Sequence, residues 1–288
     1  MVSASQDFGE LTVFHHPLSQ PSRAVMCFCA INEIKHTGQF VDILNGGNKK
    51  EDFLRINPVG AVPAIREENG SDVFLLNESH AILRYLADSR QTADHWYPKD
   101  LKTRARVDKY LDSHYGDVRA NTAKYLQNKL FIKNADNIKY FGEKVMALLA
   151  RLDKTFADQT WIAGTDKPSI ADLSAWSELF AQEMAGVDFQ VYPNVKAWMD
   201  RFVKFDLQIQ LTQLRSRNLI STMFLKENLP KLVYFELGGR GEQVRIACAV
   251  AGLKFTDERL SFPEFGKRKG EFPTGAIPVW IEDGETYF

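Results

Sequence analysis

The chain has 288 residues, 44% apolar and 25% charged, with a formal net charge of −1. These values describe an ordinary globular composition with room for about two domains and part of a third. Charge so near zero argues against nucleic acid or an anionic membrane as partner, since both need a concentrated basic surface, and no stretch reaches the ~18 apolar residues of a membrane span. Residues 1–8 lack the basic and apolar regions of a signal peptide. Three cysteines, Cys27, Cys29 and Cys248, leave an odd thiol and suit a reducing compartment, so a cytoplasmic protein with small buried thiols is expected.

In chain order, residues 11–16 read as a strand and 21–32 as a helix with Pro21 in its first turn, where the missing N–H costs nothing. No charge occurs from Ala24 to Ile31, so this helix should be buried on nearly every side. Residues 40–44, 62–65 and 73–76 read as three further strands, with Asn69-Gly70 as the turn between the last two. A helix then spans 78–89, with Ala81, Ile82, Tyr85 and Leu86 on one stripe. Composition changes after Tyr97-Pro98, and from 101 to about 215 the pattern is helical almost throughout. Ser169 and Asp172 form a capping signature, and Tyr192-Pro193 precedes a helix carrying Val195, Trp198, Phe202 and Val203. A linker without periodicity covers about 217–229.

From residue 230 the opening pattern returns. Leu232-Val233-Tyr234-Phe235 leads through Gly238-Gly239-Arg240-Gly241 to Arg245 and an apolar run, then to Ile277-Pro278, as Leu11 to Phe14 leads through Pro21 and Arg23 to Val62-Pro63. Strand-like pieces at 278–281 and 285–288 follow. An internal repeat of this size decides architecture before residue detail does. No counterpart of Glu78-Ser79 follows Phe288 in this sequence, so the second copy is expected to be a fragment, mobile or dependent on the preceding domain for cover.

The motifs Leu18-Ser19-Gln20-Pro21-Ser22-Arg23, Ile56-Asn57-Pro58, Val62-Pro63-Ala64-Ile65 and Asn77-Glu78-Ser79-His80 resemble the thioredoxin-like domain of cytosolic glutathione transferases, the theta type above all. The resemblance covers about residues 10–215 and includes Tyr97-Pro98 and the Ser169–Asp172 box. It implies an α/β plus all-α chain. A thioredoxin-like glutathione-binding domain would occupy 9–90, an all-helical substrate domain 98–217, and an incomplete second thioredoxin-like module of the tyrosine type 230–288. It further implies a glutathione S-transferase of the detoxification kind, acting on small electrophiles as a homodimer, with glutathione as co-substrate and no metal. A non-catalytic scaffold and a glutathione-dependent peroxidase or dehalogenase are the alternatives.

By that resemblance Ser19 is the catalytic hydroxyl. A hydroxyl donating to a thiolate favours the charged form, and the positive end of the helix beginning near Gln20 adds to the effect; Ser19 or Ser22 acting merely as helix cap is the alternative. Val62 and Pro63 would offer backbone to the cysteinyl part of glutathione. Glu78 and Ser79 open a helix that could hold the γ-glutamyl amine and carboxylate. Asn48 and Ala61 depart from the theta pattern, which has histidine and lysine there, so Asn48 is a weakened candidate for the glycine carboxylate, with Lys49 or Lys50 as substitute. Tyr115 and Arg119 could face an acceptor pocket, although a solvated arginine is the expectation for Arg119. Tyr234 would be the second module's counterpart of a catalytic tyrosine. His15 and His16 carry no metal or triad pattern.

Overall fold

The computed structural model describes residues 9–206, 209, 230–251, 255–272, 274–282 and 285–287. The chain divides into two compact units, Met1–Arg215 and Ser216–Phe288.

The first unit opens with β1 (Glu10–His15), α1 (Gln20–Ile31) and β2 (Thr37–Phe40). β1 and β2 pair in parallel, Thr12 opposite Thr37 through His15 opposite Phe40, as a crossover helix between them requires. After the short α2 (Glu51–Ile56), β3 (Ala64–Asn69) and β4 (Asp72–Asn77) form a hairpin through Gly70 at φ +62°. The sheet order is β2-β1-β3-β4. α3 (Ser79–Ser89) closes the domain. Leu11, Val13 and Ile65 from the sheet, Val25 and Phe28 from α1, and Ile82, Leu83 and Leu86 from α3 are all buried in one core, so Phe28→Ala should cost about 3–5 kcal/mol.

Three local readings shift. β2 ends where residues 40–44 were expected to begin a strand: Asp42 accepts from the Asn45 backbone at 3.2 Å, and its carbonyl takes the Gly47 N–H at 2.6 Å, so a turn wins over extension. The buried stripe of α3 is Ile82, Leu83, Leu86 and Ala87, with Ala81 and Tyr85 half-buried. α2 was not anticipated, being little more than one turn long.

The remainder of the first unit is helical. α4 (Leu101–His114) is capped by Asp100, whose carboxylate accepts from Thr103 N at 2.8 Å. A π turn at Tyr115–Arg119 leads into α5 (Ala120–Gln127), and a second at Asn128–Ile132 precedes α6 (Ala135–Asp158). α7 (Ile170–Leu179) and α8 (Pro193–Phe205) complete it. The Ser169–Asp172 capping box forms on α7, and Asp172 also accepts from Ile162 N and from the indole of Trp198 on α8. One buried carboxylate thereby ties the α6–α7 connection and two helices together.

The expected linker at 217–229 lies outside the described residues. In the second unit, β5 (Lys231–Phe235), α9 (Arg240–Ala251), β6 (Thr256–Leu260), α10 (Phe262–Arg268), β7 (Val279–Glu282) and β8 (Glu285–Tyr287) follow in order. The sheet runs β6-β5-β7-β8, with β5 parallel to β6 and antiparallel to β7. Strand for strand this repeats the first sheet. Val62-Pro63 and Ile277-Pro278 are both cis, at matching places. Gly241 is required: a Cβ there would lie 2.3 Å from the Tyr234 ring, which packs on the start of α9.

Candidate active site

Ser19 is the N-cap of α1. Its backbone is extended, its hydroxyl accepts from Ser22 N at 3.4 Å, and that hydroxyl donates to the Val62 carbonyl at 3.2 Å. The side chain therefore sits at the positive end of a 12-residue helix, with backbone dipoles already aligned toward it. Val62 and Pro63 line a cavity of about 320 Å³ together with Pro21, Glu78 and Ser79.

The loop beneath this wall is held by asparagines. Buried Asn57 donates to the Ala61 carbonyl at 2.7 Å and accepts from Asn77 at 2.7 Å and from Val59 N at 3.1 Å. Asn48 gives its N–H to the Gly60 carbonyl at 2.7 Å and is not part of the cavity lining. Lys49 does not line it either, but its ammonium is 3.1 Å from where a Gly60 side chain would begin, in the loop before Val62, whereas Lys50 lines a separate groove with Phe14 and Phe53. Where β4 meets α3, Glu78 holds a φ of +66°. A non-glycine residue pays about 1–3 kcal/mol for such backbone, and that strain persists where neighbouring structure over-determines it, often at binding sites.

The opposite wall comes from α3, α4, the π turn and α7 through His80, His114, Tyr115, Arg119, Ser174 and Glu178. Here the expectation of a solvated Arg119 is overturned. Its guanidinium pairs with Glu178, which is 2% exposed, and also reaches the Gln20 side chain beside Ser19 at 3.5 Å. Thr122 donates to the second oxygen of Glu178 at 3.2 Å. His80 shares a 2.6 Å hydrogen bond with Ser174 and packs edge-on against His114, centroids 5.0 Å apart. Burial, with the charge of His114 adding to it at His80 and that of Arg119 at His114, pushes both rings down to about 3, so both are neutral near pH 7.

Comparison with known proteins agrees with this geometry. Residues 19–89 match the glutathione S-transferase N-terminal domain, and residues 124–205 the C-terminal domain. Glutathione S-transferase theta-2 of Rattus norvegicus is 36% identical over 196 residues, 65% of this chain and 78% of that protein.

The chain belongs to the glutathione S-transferase family.

The human theta-2 transferase is 35% identical, over 68% of this chain and 81% of its own length. A crystal structure of human theta-2 with glutathione and an unknown ligand superposes with a TM-score of 0.68 at 29% identity, covering 82% of this chain and 97% of that one. The first unit thus carries theta-class N- and C-terminal transferase domains. Within this transferase, Val62, Pro63, Glu78 and Ser79 line one cavity, Ser19 is bonded to Val62 of that lining, and Asn48 is bonded to Gly60 and does not line it. Sequence reading missed His80, His114, Ser174 and Glu178. Glu178 had a signal, as the one acid in the apolar run from Leu173 to Phe180; the histidines had none. Among the described residues no group of three or more His, Cys, Asp or Glu is arranged to hold a metal.

Proposed function

We infer that this chain is a glutathione transferase in which Ser19 activates the thiol of glutathione for attack on small electrophiles. The observation that carries the reading is the Ser19 hydroxyl at the head of α1, bonded to the carbonyl of cis-linked Val62, with the start of α3 on the same cavity. When glutathione binds, the hydroxyl turns from the Val62 carbonyl to the sulfur, and the released carbonyl accepts from the cysteinyl N–H. One charge-assisted hydrogen bond of about 1.5–3 kcal/mol lowers the thiol pKa by roughly one to two units. The thiol proton leaves to solvent, the sulfur lone pair forms the S–C bond, and the leaving group departs with its electron pair.

Glu78 pairs with the γ-glutamyl amine, and the first N–H groups of α3 with the Ser79 hydroxyl hold its carboxylate. Lys49 supplies the cation that Ala61 does not, facing the glycine carboxylate. The glutathione domain is taken as 9–90 and the acceptor domain as 98–217. Residues 230–288 are read as the opening of a second thioredoxin-like module of the tyrosine type, on the strength of the repeated strand order and of Tyr234 in its first strand. The enzyme is taken as a cytoplasmic homodimer, the dimer being favoured by Val73 and Leu75 exposed on one face of β4 and Phe74 on the other, where it lines a groove of about 770 Å³. Ser19→Ala tests the central claim: conjugation of a small electrophile should fall at least tenfold, with glutathione affinity changed less than about threefold. A variant as fast as the wild type sinks the assignment.

A further inference from the structure

Arg23 takes no part in the chemistry above, yet it is the most completely enclosed cation near Ser19, 4% exposed on a helix whose buried residues beyond it, from Ala24 to Cys29, are apolar. Burying a guanidinium is costly unless its donors are satisfied. Arg23 places its two terminal nitrogens on backbone carbonyls from two separate places, while its buried Nε has no hydrogen-bond partner among the described residues. Nη1 donates to Pro17 O at 3.0 Å and to Leu18 O at 3.1 Å, the two carbonyls immediately ahead of Ser19. Nη2 donates to Ser177 O at 3.0 Å, in the last turn of α7.

That last carbonyl lies in the final turn of α7, which runs on into a 3-10 turn at Phe180–Ala185. The planar group also lies over the Phe180 ring, 4.8 Å from its centroid. Burial draws the guanidinium down to about 10, with Glu178 opposing and Arg119 adding to the shift, so it stays charged at neutral pH. Residue 178, next to the carbonyl that Arg23 holds, is the glutamate that carries Arg119 at the cavity.

We propose that Arg23 is a positioning residue for the reaction: its rigid fork bolts the Pro17-Leu18 turn to the end of α7, and so sets where the Ser19 hydroxyl stands relative to the cavity. Lysine cannot replace it. An ammonium has no fixed fork and cannot reach three carbonyls on two elements in one plane. The proposal rests on the reading of Ser19 as the thiol-activating hydroxyl.

The test uses the full chain as Arg23→Lys, with Arg23→Gln as second variant should the lysine fail to fold, each alone and combined with Ser19→Ala. Melting temperature, glutathione Kd, kcat with a small electrophile, and the pKa of bound glutathione from its thiolate absorbance are measured. In the Ser19 background Arg23→Lys should retain Kd within about twofold, raise the bound thiol pKa by about one unit and lower kcat about tenfold. Combined with Ser19→Ala it should add no further rise in thiol pKa, since it acts through that hydroxyl. An unchanged thiol pKa and kcat, whatever the melting temperature does, overturns the positioning role, as does a full additional pKa rise in the double variant. If Ser19→Ala alone leaves thiol pKa and rate unchanged, the Ser19 reading itself fails, a result distinct from the first two.

Discussion

Ser19 does two things at once. As N-cap it satisfies a free N–H of α1, and by the same placement its hydroxyl sits where a helix dipole and a cis-proline carbonyl converge. Capping and catalysis, alternatives when only sequence is considered, are compatible here because the hydroxyl oxygen accepts from Ser22 while its proton is donated elsewhere. The division of labour across the cavity gives a second expectation. Replacing both Glu78 and Ser79 by alanine removes one ionic and one hydroxyl contact to the γ-glutamyl end, together about 2–4 kcal/mol, or thirtyfold and more in affinity. Calorimetric titration should show that loss while the circular dichroism spectrum stays that of the wild type. Undiminished binding would make the start of α3 structural only. The candidates at 19, 62, 63, 78 and 79 could be picked out because each sits at an element boundary that its own neighbours mark, whereas the bond from the Asn48 side chain to the Gly60 carbonyl belongs to a loop that local pattern does not describe.

Between elements, α3, α4 and α7 meet through His80, His114 and Ser174. Both imidazoles are held well below their ordinary value, chiefly by burial. A histidine whose folded pKa is depressed binds its proton more readily when unfolded, so stability is full above about pH 6.5 and falls as pH drops from there toward 3. Each ring contributes up to about 1.4 kcal/mol per pH unit within that window, though protonating one ring makes the second costlier. Melting temperature recorded from pH 7 to pH 4 should therefore decline, and the double variant His80→Gln with His114→Gln should flatten the decline. Identical slopes in the two proteins would show that carboxylates alone govern acid stability. None of this contact was visible along the chain: His80 and Ser174 are 94 positions apart. The π turn at Tyr115–Arg119 was equally hidden, because its residues fit an ordinary helix and only the packing of Arg119 toward Glu178 distinguishes them.

At the scale of the molecule, every residue lining the candidate site belongs to the first unit. A chain ending at residue 226 should keep full conjugation activity and a similar melting temperature, and should gain solubility through loss of a sheet edge. Loss of activity or unfolding on that truncation would show that residues 230–288 are integral to the enzyme. Periodicity, turn residues and boundary prolines were enough to reveal the β-α-β then β-β-α order, the helical region after Tyr97-Pro98, the Ser169–Asp172 cap and the repeat at 230, because each is encoded within a few residues of itself. Tertiary structure alone decided that Arg119 is paired and not solvated, that Lys49 and not Lys50 borders the loop before Val62, and that Arg23 gathers carbonyls from residues 17, 18 and 177. Such pairings join residues up to 154 positions apart. A buried charge takes whichever partner the packed core brings within reach, and that partner is chosen by the fold as a whole.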